Sequence, residues 1–512
     1  MRKTKQNNLS IGTITESPKA TTREWFALAV LLIPVLLVSI DNTVLSFALP
    51  VISLEFNTTG AMLLWIVDSY ALVLAGLLIT MGSLGDRYGR RRMLLIGGTG
   101  FTVLSALAAF SPSAEALVGY RIGLGFFGAM LMPPTLSIIR NIFHDKIQRR
   151  KALAIWAAGF AAGSAIGPIL GGLLLEHFHW GSVFLIAVPL LLLMLILTPW
   201  IVPESRDSAP GPIDLISMML SVLALAPLAF GIKSLASNGL NGLALAALLL
   251  SAVSAWLFVK RQLSRPIPML DMSLFSNTVF RGSVIVNLLA IFSLVGFLYF
   301  GSQHLQLILE LSPLNAGLML LPGLVFMILF GLWAVNLSRR VPIRWLVSGS
   351  LLLTAIAYAL IAVLADGGSA LLIAGTFVLL SIGIGISETL SNDQIVAAVP
   401  PEKAGAASAV SETAYEVGTV LGTAVLGSIL MASYRNNLVL PEGLDQAQQY
   451  IATETLAGAL NVSETLPADT AQLLRDSAVM AFDSGVLLTS GIAAGLMLFG
   501  AIYASFALKK AN

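Results

Sequence analysis

Five carboxylates of this 512-residue chain fall inside long apolar runs: Asp41, Asp68, Glu388, Glu412 and Glu416, with Asp393 at the edge of one run. An ionisable side chain in such a setting is costly and is a functional residue by default. Glu412 and Glu416 are four residues apart and share a helix face. At roughly 6 Å and an effective dielectric of about 20, two such charges repel by about 2.8 kcal/mol. A proton or a cation held between them relieves that repulsion, which is the chemistry of proton/cation exchange. Trp65 precedes Asp68 by three residues and offers a cation–π face beside the carboxylate. Tyr415 is similarly placed against Glu412. Arg121 is the one base within a run; unpaired it would cost roughly 3 kcal/mol. Its expected partners are acids on neighbouring helices, the alternative being a side chain that snorkels to the nearer interface.

The elements that hold these residues follow from composition. Hydrophobic residues make up 57% of the chain and charged residues only 11%, against roughly 25% charged in a soluble domain. That excludes a soluble, a disordered and a secreted disulfide-bonded protein, and the chain has no cysteine. The net charge of +2 gives no bulk attraction to nucleic acid. With about 20 apolar residues per crossing, fourteen helical spans are expected, at 26–50, 62–85, 93–110, 115–138, 152–175, 182–202, 213–232, 240–259, 279–303, 314–335, 344–364, 370–390, 405–432 and 484–507. The polar, basic start is read as a retained tail, not a signal peptide.

Twenty-five of the 29 Lys and Arg residues fall on one side of this arrangement, including Arg87, Arg90, Arg91, Arg92 and the N-terminal tail. Lys233, Arg435 and Arg475 are placed on the other side. The positive-inside rule makes the rich side cytoplasmic, with both termini inside. A long loop at 433–483 on the outer side carries seven acids against two bases, and its apolar spacing predicts a helical hairpin divided at Pro467. Basic turns follow span 2 (Gly82 to Arg92) and span 10 (Arg339, Arg340, Arg344). They mark two six-helix halves, with spans 7 and 8 as an inserted pair. The expected units are a tail at 1–25, a bundle at 26–205, the pair at 206–265 and a bundle at 279–508. Repeated halves are a transporter signature, with the substrate site between them near the midplane.

Three stretches carry a family resemblance. Gly82, Asp86, Arg87, Gly89 and Arg90 form a turn in which glycines permit close approach, Asp86 pairs with nearby arginines or sits at a helix N-terminus, and the arginines face the anionic inner leaflet. In span 5, Gly159, Gly163, Gly167, Pro168, Gly171 and Gly172 place small residues on one face, with a kink at the proline. Tyr120-Arg121-Ile122-Gly123 lies in span 4. These resemble motifs of the major facilitator superfamily, and the span 5 motif is found in its exporters. Asp41-Asn42-Thr43 to Pro50, Trp65 to Tyr70 and Ser411 to Gly418 resemble the fourteen-helix drug:proton antiporters that export quaternary ammonium compounds.

The resemblance covers nearly the whole chain. It implies an all-α membrane protein with the major facilitator fold, driven by the proton motive force without a cofactor. It also implies a monomer in the bacterial cytoplasmic membrane that exports lipophilic cationic drugs, biocides and dyes in exchange for protons. Ala187 departs from the asparagine common in relatives, and span 10 lacks the acid linked to dicationic substrates, so preference for dications does not carry over. His144, His177, His179 and His304 are not central to any span, and no metal site is expected. Without a phosphate loop or a hydrolase motif, neither ATP nor membrane enzymology is indicated. An exporter of a physiological metabolite such as a peptide or amino acid is the alternative within transport, and a membrane receptor or enzyme the alternative outside it.

Overall fold

The computed structural model describes residues 19–206, 214–266, 268–364, 369–399, 404–509 and 511. Most of the tail expected at 1–25 therefore lies outside the described residues. Among the described residues, fourteen helices are long and apolar enough to cross a membrane. Spans 1 to 6 are Thr22–Phe56, Gly60–Leu78, Arg90–Ala109, Ala114–Ile142, Lys151–His177 and Ser182–Ile201. Spans 7 and 8 are Leu215–Ala236 and Gly242–Ser264. Spans 9 to 14 are Thr278–Ile308, Pro313–Leu337, Ile343–Val363, Ala370–Ala397, Ala406–Asn437 and Ala468–Ala507. The helix of span 2 continues to Tyr88.

Short polar residues in the loops start these helices by accepting from their free N–H groups. Thr59, Ser113, Asp145, Asp214, Asn241, Asn277 and Ser312 all do so.

The packing repeats. Span 1 lies against spans 5 and 6, span 2 against span 4, and span 3 against spans 4 and 6. Span 9 lies against spans 13 and 14, span 10 against span 12, and span 11 against spans 12 and 14. Adding eight to each number of the first set gives the second. The halves meet along spans 2 and 13 and along spans 5 and 10, two interfaces that the same repeat relates. Spans 7 and 8 pack on each other, and span 7 rests on both span 2 and span 13.

At the end of the bundle away from the arginine-rich turns, hereafter the far end, the halves are pressed together. Ser302 donates to the Ser46 carbonyl at 2.8 Å and Gln306 to that of Phe47 at 3.2 Å. A Cβ on Gly172 would lie 2.5 Å from the Leu314 Cα, and one on Gly317 would lie 2.6 Å from the Pro168 carbonyl.

The far-end loop differs from the expected hairpin. Its first part forms two short helices, Gln446–Glu454 and Leu456–Ser463, but the stretch after Pro467 is the beginning of span 14, one continuous helix of 40 residues. Asp469, Asp476 and Asp483 lower the hydropathy of those first turns, which hid their continuity with the apolar part. Span 9 likewise extends past its expected end, so His304 lies within it, 7% exposed and 3.4 Å from Asp483.

Candidate substrate and proton site

Arg121 organises the N-terminal half. Its side chain is 1% exposed, and its Nη1 lies 2.6 Å from Asp41 Oδ2 on span 1. Its Nε donates to the Ile66 carbonyl of span 2 at 3.0 Å, and its guanidinium lies 4.4 Å from the centre of the Tyr70 ring. One arginine thus ties spans 1, 2 and 4 together. The intramembrane acid expected as its partner is Asp41; the side chain does not snorkel. Tyr70 was not singled out in the sequence because an aromatic residue in an apolar run looks like ordinary core.

Span 13 brings the opposing acids. Glu416 is 5% exposed and stands within electrostatic reach of Glu412, Asp41 and Arg121. Glu412 faces Arg140, at the arginine-rich end of span 4, and Arg140 also contacts Ser408 at 3.4 Å. Glu388 of span 12 interacts with Tyr415, whose ring is 6.4 Å from that of Phe160 on span 5. Among the described residues, Glu412 Oε1 and Glu416 Oε2 are buried with no hydrogen-bond partner. Buried carboxylate oxygens are normally satisfied; these two are free to receive a proton or a cation. Asp41, Glu412, Glu416, Glu388, Arg121 and Tyr415 therefore gather between the halves.

Asp68 and Trp65 do not join them. They form a second cluster nearer the far end, where Lys233 Nζ of span 7 lies 2.7 Å from Asp68 Oδ2 and 3.9 Å from the centre of the Trp65 ring. Thr423 of span 13 donates to the other oxygen of Asp68. Lys233, expected in the loop beyond a span ending at 232, is inside the span and 3% exposed. Sequence reading missed it because hydropathy ended the span at the charge itself.

The turn after span 2 is built as its composition suggests. Asp86 Oδ1 pairs with Arg90 at 2.7 Å, one helical turn on. Gly89 has φ +116, and a Cβ there would meet the Glu204 carboxylate at 2.8 Å, so glycine is required. Glu204 in turn accepts from the Arg91 amide at 3.1 Å. Arg87 is exposed, and Gly82 makes only ordinary contact with Pro133.

In span 5, Gly159, Gly163, Gly167 and Gly171 all face span 1, whereas Gly172 and Pro168 face span 10. The motif thus seats span 5 on its own half and closes it on the other. Span 13, its counterpart in the repeat, approaches span 9 the same way: a Cβ on Gly418 would meet the Leu288 carbonyl at 2.7 Å. Ala187 is buried at a break in span 6, between Ser182–Leu185 and Ala187–Ile201. No group of three or more metal-ligating side chains occurs among the described residues.

Comparison with known proteins agrees with this geometry. The model of the Major Facilitator Superfamily matches residues 31–423. The multidrug efflux pump LfrA of Mycolicibacterium smegmatis is 54% identical over 96% of this chain and 98% of its own. The methyl viologen resistance protein SmvA of Salmonella typhimurium is 35% identical over 96% of this chain and 99% of its own. A tetracenomycin C resistance and export protein of Streptomyces glaucescens is 33% identical over 95% of this chain and 92% of its own. Among solved structures, a bacterial homologue of the human lysosomal transporter Spinster superposes with a TM-score of 0.65 at 16% identity, over 95% of this chain and 99% of that one. That likeness speaks for the fold alone. Twelve spans in two repeated halves with an inserted pair, a charged cluster between the halves and these matches place the chain in the major facilitator superfamily, as a multi-pass membrane transporter and not an enzyme.

Proposed function

We propose that this transporter exports lipophilic cationic drugs, quaternary ammonium biocides and dyes from the cytoplasm in exchange for protons. The observation that carries the proposal is the pair of unpartnered carboxylate oxygens on Glu412 and Glu416, buried opposite an Asp41–Arg121 pair. Arg121 pairs directly with Asp41 and Arg140 faces Glu412, so three acids, Asp41, Glu412 and Glu416, share two bases and one negative charge is left for a proton or an organic cation. Occupancy by one disfavours the other, which is the requirement for antiport. Tyr415 stands beside Glu388 and Glu416, and its ring continues into those of Phe160, 6.4 Å away, and Trp156, 5.0 Å from Phe160. They supply the apolar and cation–π contacts a lipophilic cation needs. The names of the relatives, which speak of multidrug efflux and methyl viologen resistance, support the drug-export part of this reading. The arginine-rich end is taken as cytoplasmic, in the bacterial cytoplasmic membrane.

Reconstituted vesicles with an imposed proton gradient test the proposal. Ethidium should move against its own gradient, with counterflow of protons recorded by an entrapped pH dye. Glu416→Gln should abolish the coupled movement while preserving insertion. Ethidium transport that persists after the proton gradient is collapsed would refute the coupling.

A further inference from the structure

The inserted pair brings its own cation into the membrane. Lys233 belongs to span 7, outside both repeated halves, yet its ammonium sits on Asp68 at 2.7 Å and against the Trp65 ring at 3.9 Å. Asp68 is fully buried and Lys233 is 3% exposed. The Phe230 ring, 6.4 Å from that of Trp65, extends the apolar wall. One buried carboxylate beside one aromatic face is what recognises a monovalent organic cation. Here the recognition elements are complete and the occupant is a side chain of the protein.

We propose that Asp68 and Trp65 form a second cation site on the exit path, and that Lys233 is a tethered competitor that empties it. This rests on the reading of the chain as a cation exporter. In the structure the far end is closed, Thr423 of the opposite half covers Asp68, and Lys233 fills the site. When the halves part, Thr423 moves off with span 13 and a cation released from the Glu412–Glu416 region meets Asp68. The lysine then exchanges with it.

Two features support the exchange. A buried carboxylate without a counter-ion costs several kcal/mol, so a bound cation leaves readily only when a proton or a second cation takes its place, and the lysine is a second cation already at hand. Lys233 is also one turn from Ala236, the end of span 7. Its flexible stem can carry the ammonium to the interface while a substrate is bound and return it afterwards. Span 7 reaches both halves, donating from Ser221 to the Gly76 carbonyl of span 2 at 3.0 Å and packing on span 13, so the competitor lies at the seam where the site opens.

Tetraphenylphosphonium binding to the purified protein in detergent, with export in vesicles, tests the inference on Lys233→Met, Lys233→Arg and the neutral double variant Asp68→Asn/Lys233→Met. Lys233→Met should bind tetraphenylphosphonium about tenfold tighter, or one further molecule per chain, and export it more slowly. The gain should vanish in the double variant and be absent from Lys233→Arg. A folded Lys233→Met that binds as the parent does, or a gain that survives loss of Asp68, overturns the proposal. A parent that neither binds nor exports tetraphenylphosphonium would instead refute cation export itself. The unaltered protein gives an independent readout should Lys233→Met not fold. Saturating tetraphenylphosphonium should raise acylation of Lys233 several-fold, measured by mass spectrometry, and unchanged acylation overturns the exchange.

Discussion

Removing either member of the Asp41–Arg121 pair should stop transport, but the two losses should differ in stability, and the difference follows from charge balance. Arg121 Nη1 and Asp41 Oδ2 are 2.6 Å apart, and the arginine is 1% exposed. Breaking a buried pair costs about 3–5 kcal/mol when it leaves an uncompensated charge. Asp41→Asn does not leave one: Glu416 remains within reach of Arg121, the Ile66 carbonyl still accepts at 3.0 Å and the Tyr70 ring still lies beneath the guanidinium. Its cost should be that of one charged hydrogen bond, about 1.5–3 kcal/mol. Arg121→Gln leaves Asp41 and Glu416 facing each other with no base between them, and should incur the larger figure. The double variant Asp41→Asn/Arg121→Gln should recover part of the loss, because Glu416 is then the only charge left of the three. Thermal unfolding in detergent of the parent, both single variants and the double variant closes a double-mutant cycle. An equal loss in both single variants, or a greater loss in Asp41→Asn, would refute the claim that Arg121 serves both acids.

The other expectations concern packing, the arginine-rich turn and the inserted pair. Gly163→Ala places a Cβ 2.7 Å from the Ser39 Cβ and 2.8 Å from the Leu36 carbonyl, so it should destabilise by about 1–3 kcal/mol through overpacking. Gly119→Ala, with nothing within 4 Å of the added carbon, should be neutral in the same thermal unfolding assay. Asp86→Asn removes the 2.7 Å contact with Arg90 and should lower turnover in vesicles while leaving tetraphenylphosphonium affinity unchanged; the reverse pattern would place Asp86 in binding. Asp214 caps span 7 and takes hydrogen bonds from Arg261 and Ser217, which hold its carboxyl well below the usual range. A depressed carboxylate stabilises the fold above its unfolded value of about 3.9 and loses that contribution as pH falls further. Asp214→Asn should therefore melt lower than the parent at pH 7, with the gap closing in acid below that value.

The number of spans and their approximate limits were legible because an apolar helix in a membrane must satisfy its backbone internally and keep nearly all its side chains apolar. The same criterion erred where a charge falls at the end of an apolar run. Lys233 was cut from span 7, and the first turns of span 14 were read as the arm of a hairpin. Arg121 and Asp41 were legible as intramembrane charges, and the structure supplies what sequence order cannot, namely that residues 80 apart meet at 2.6 Å. Asp68 stood with the central acids when read along the chain, since nothing local distinguishes it from Asp41. Its separation depends on a partner from the inserted pair, 165 residues later by numbering. The unpartnered oxygens of Glu412 and Glu416 were foreshadowed by their spacing, because two carboxylates on one helix turn cannot satisfy each other.

The repeat explains why the inserted pair matters to transport and is not a mere addition to the fold. The two interfaces between the halves are equivalent by the eight-span offset, so a chain with only the repeat would close both in the same way. On one side, spans 5 and 10 close by backbone proximity, through Gly172 against Leu314 and Gly317 against Pro168, with Ser312 donating to Glu176 at the rim. On the other, spans 2 and 13 meet through an acid, Asp68, and a hydroxyl, Thr423, and span 7 lies across both. Span 13 bends there into a π-helical stretch, Gly422–Gly427, and such bulges are frequent at functional sites. An acid on that face would oppose closure if it stayed unpaired, because dehydrating a lone carboxylate is costly. On the exchange proposed above, the lysine of the inserted helix neutralises the acid while the far end is closed, and a substrate cation displaces it once the Thr423 contact breaks and the far end opens.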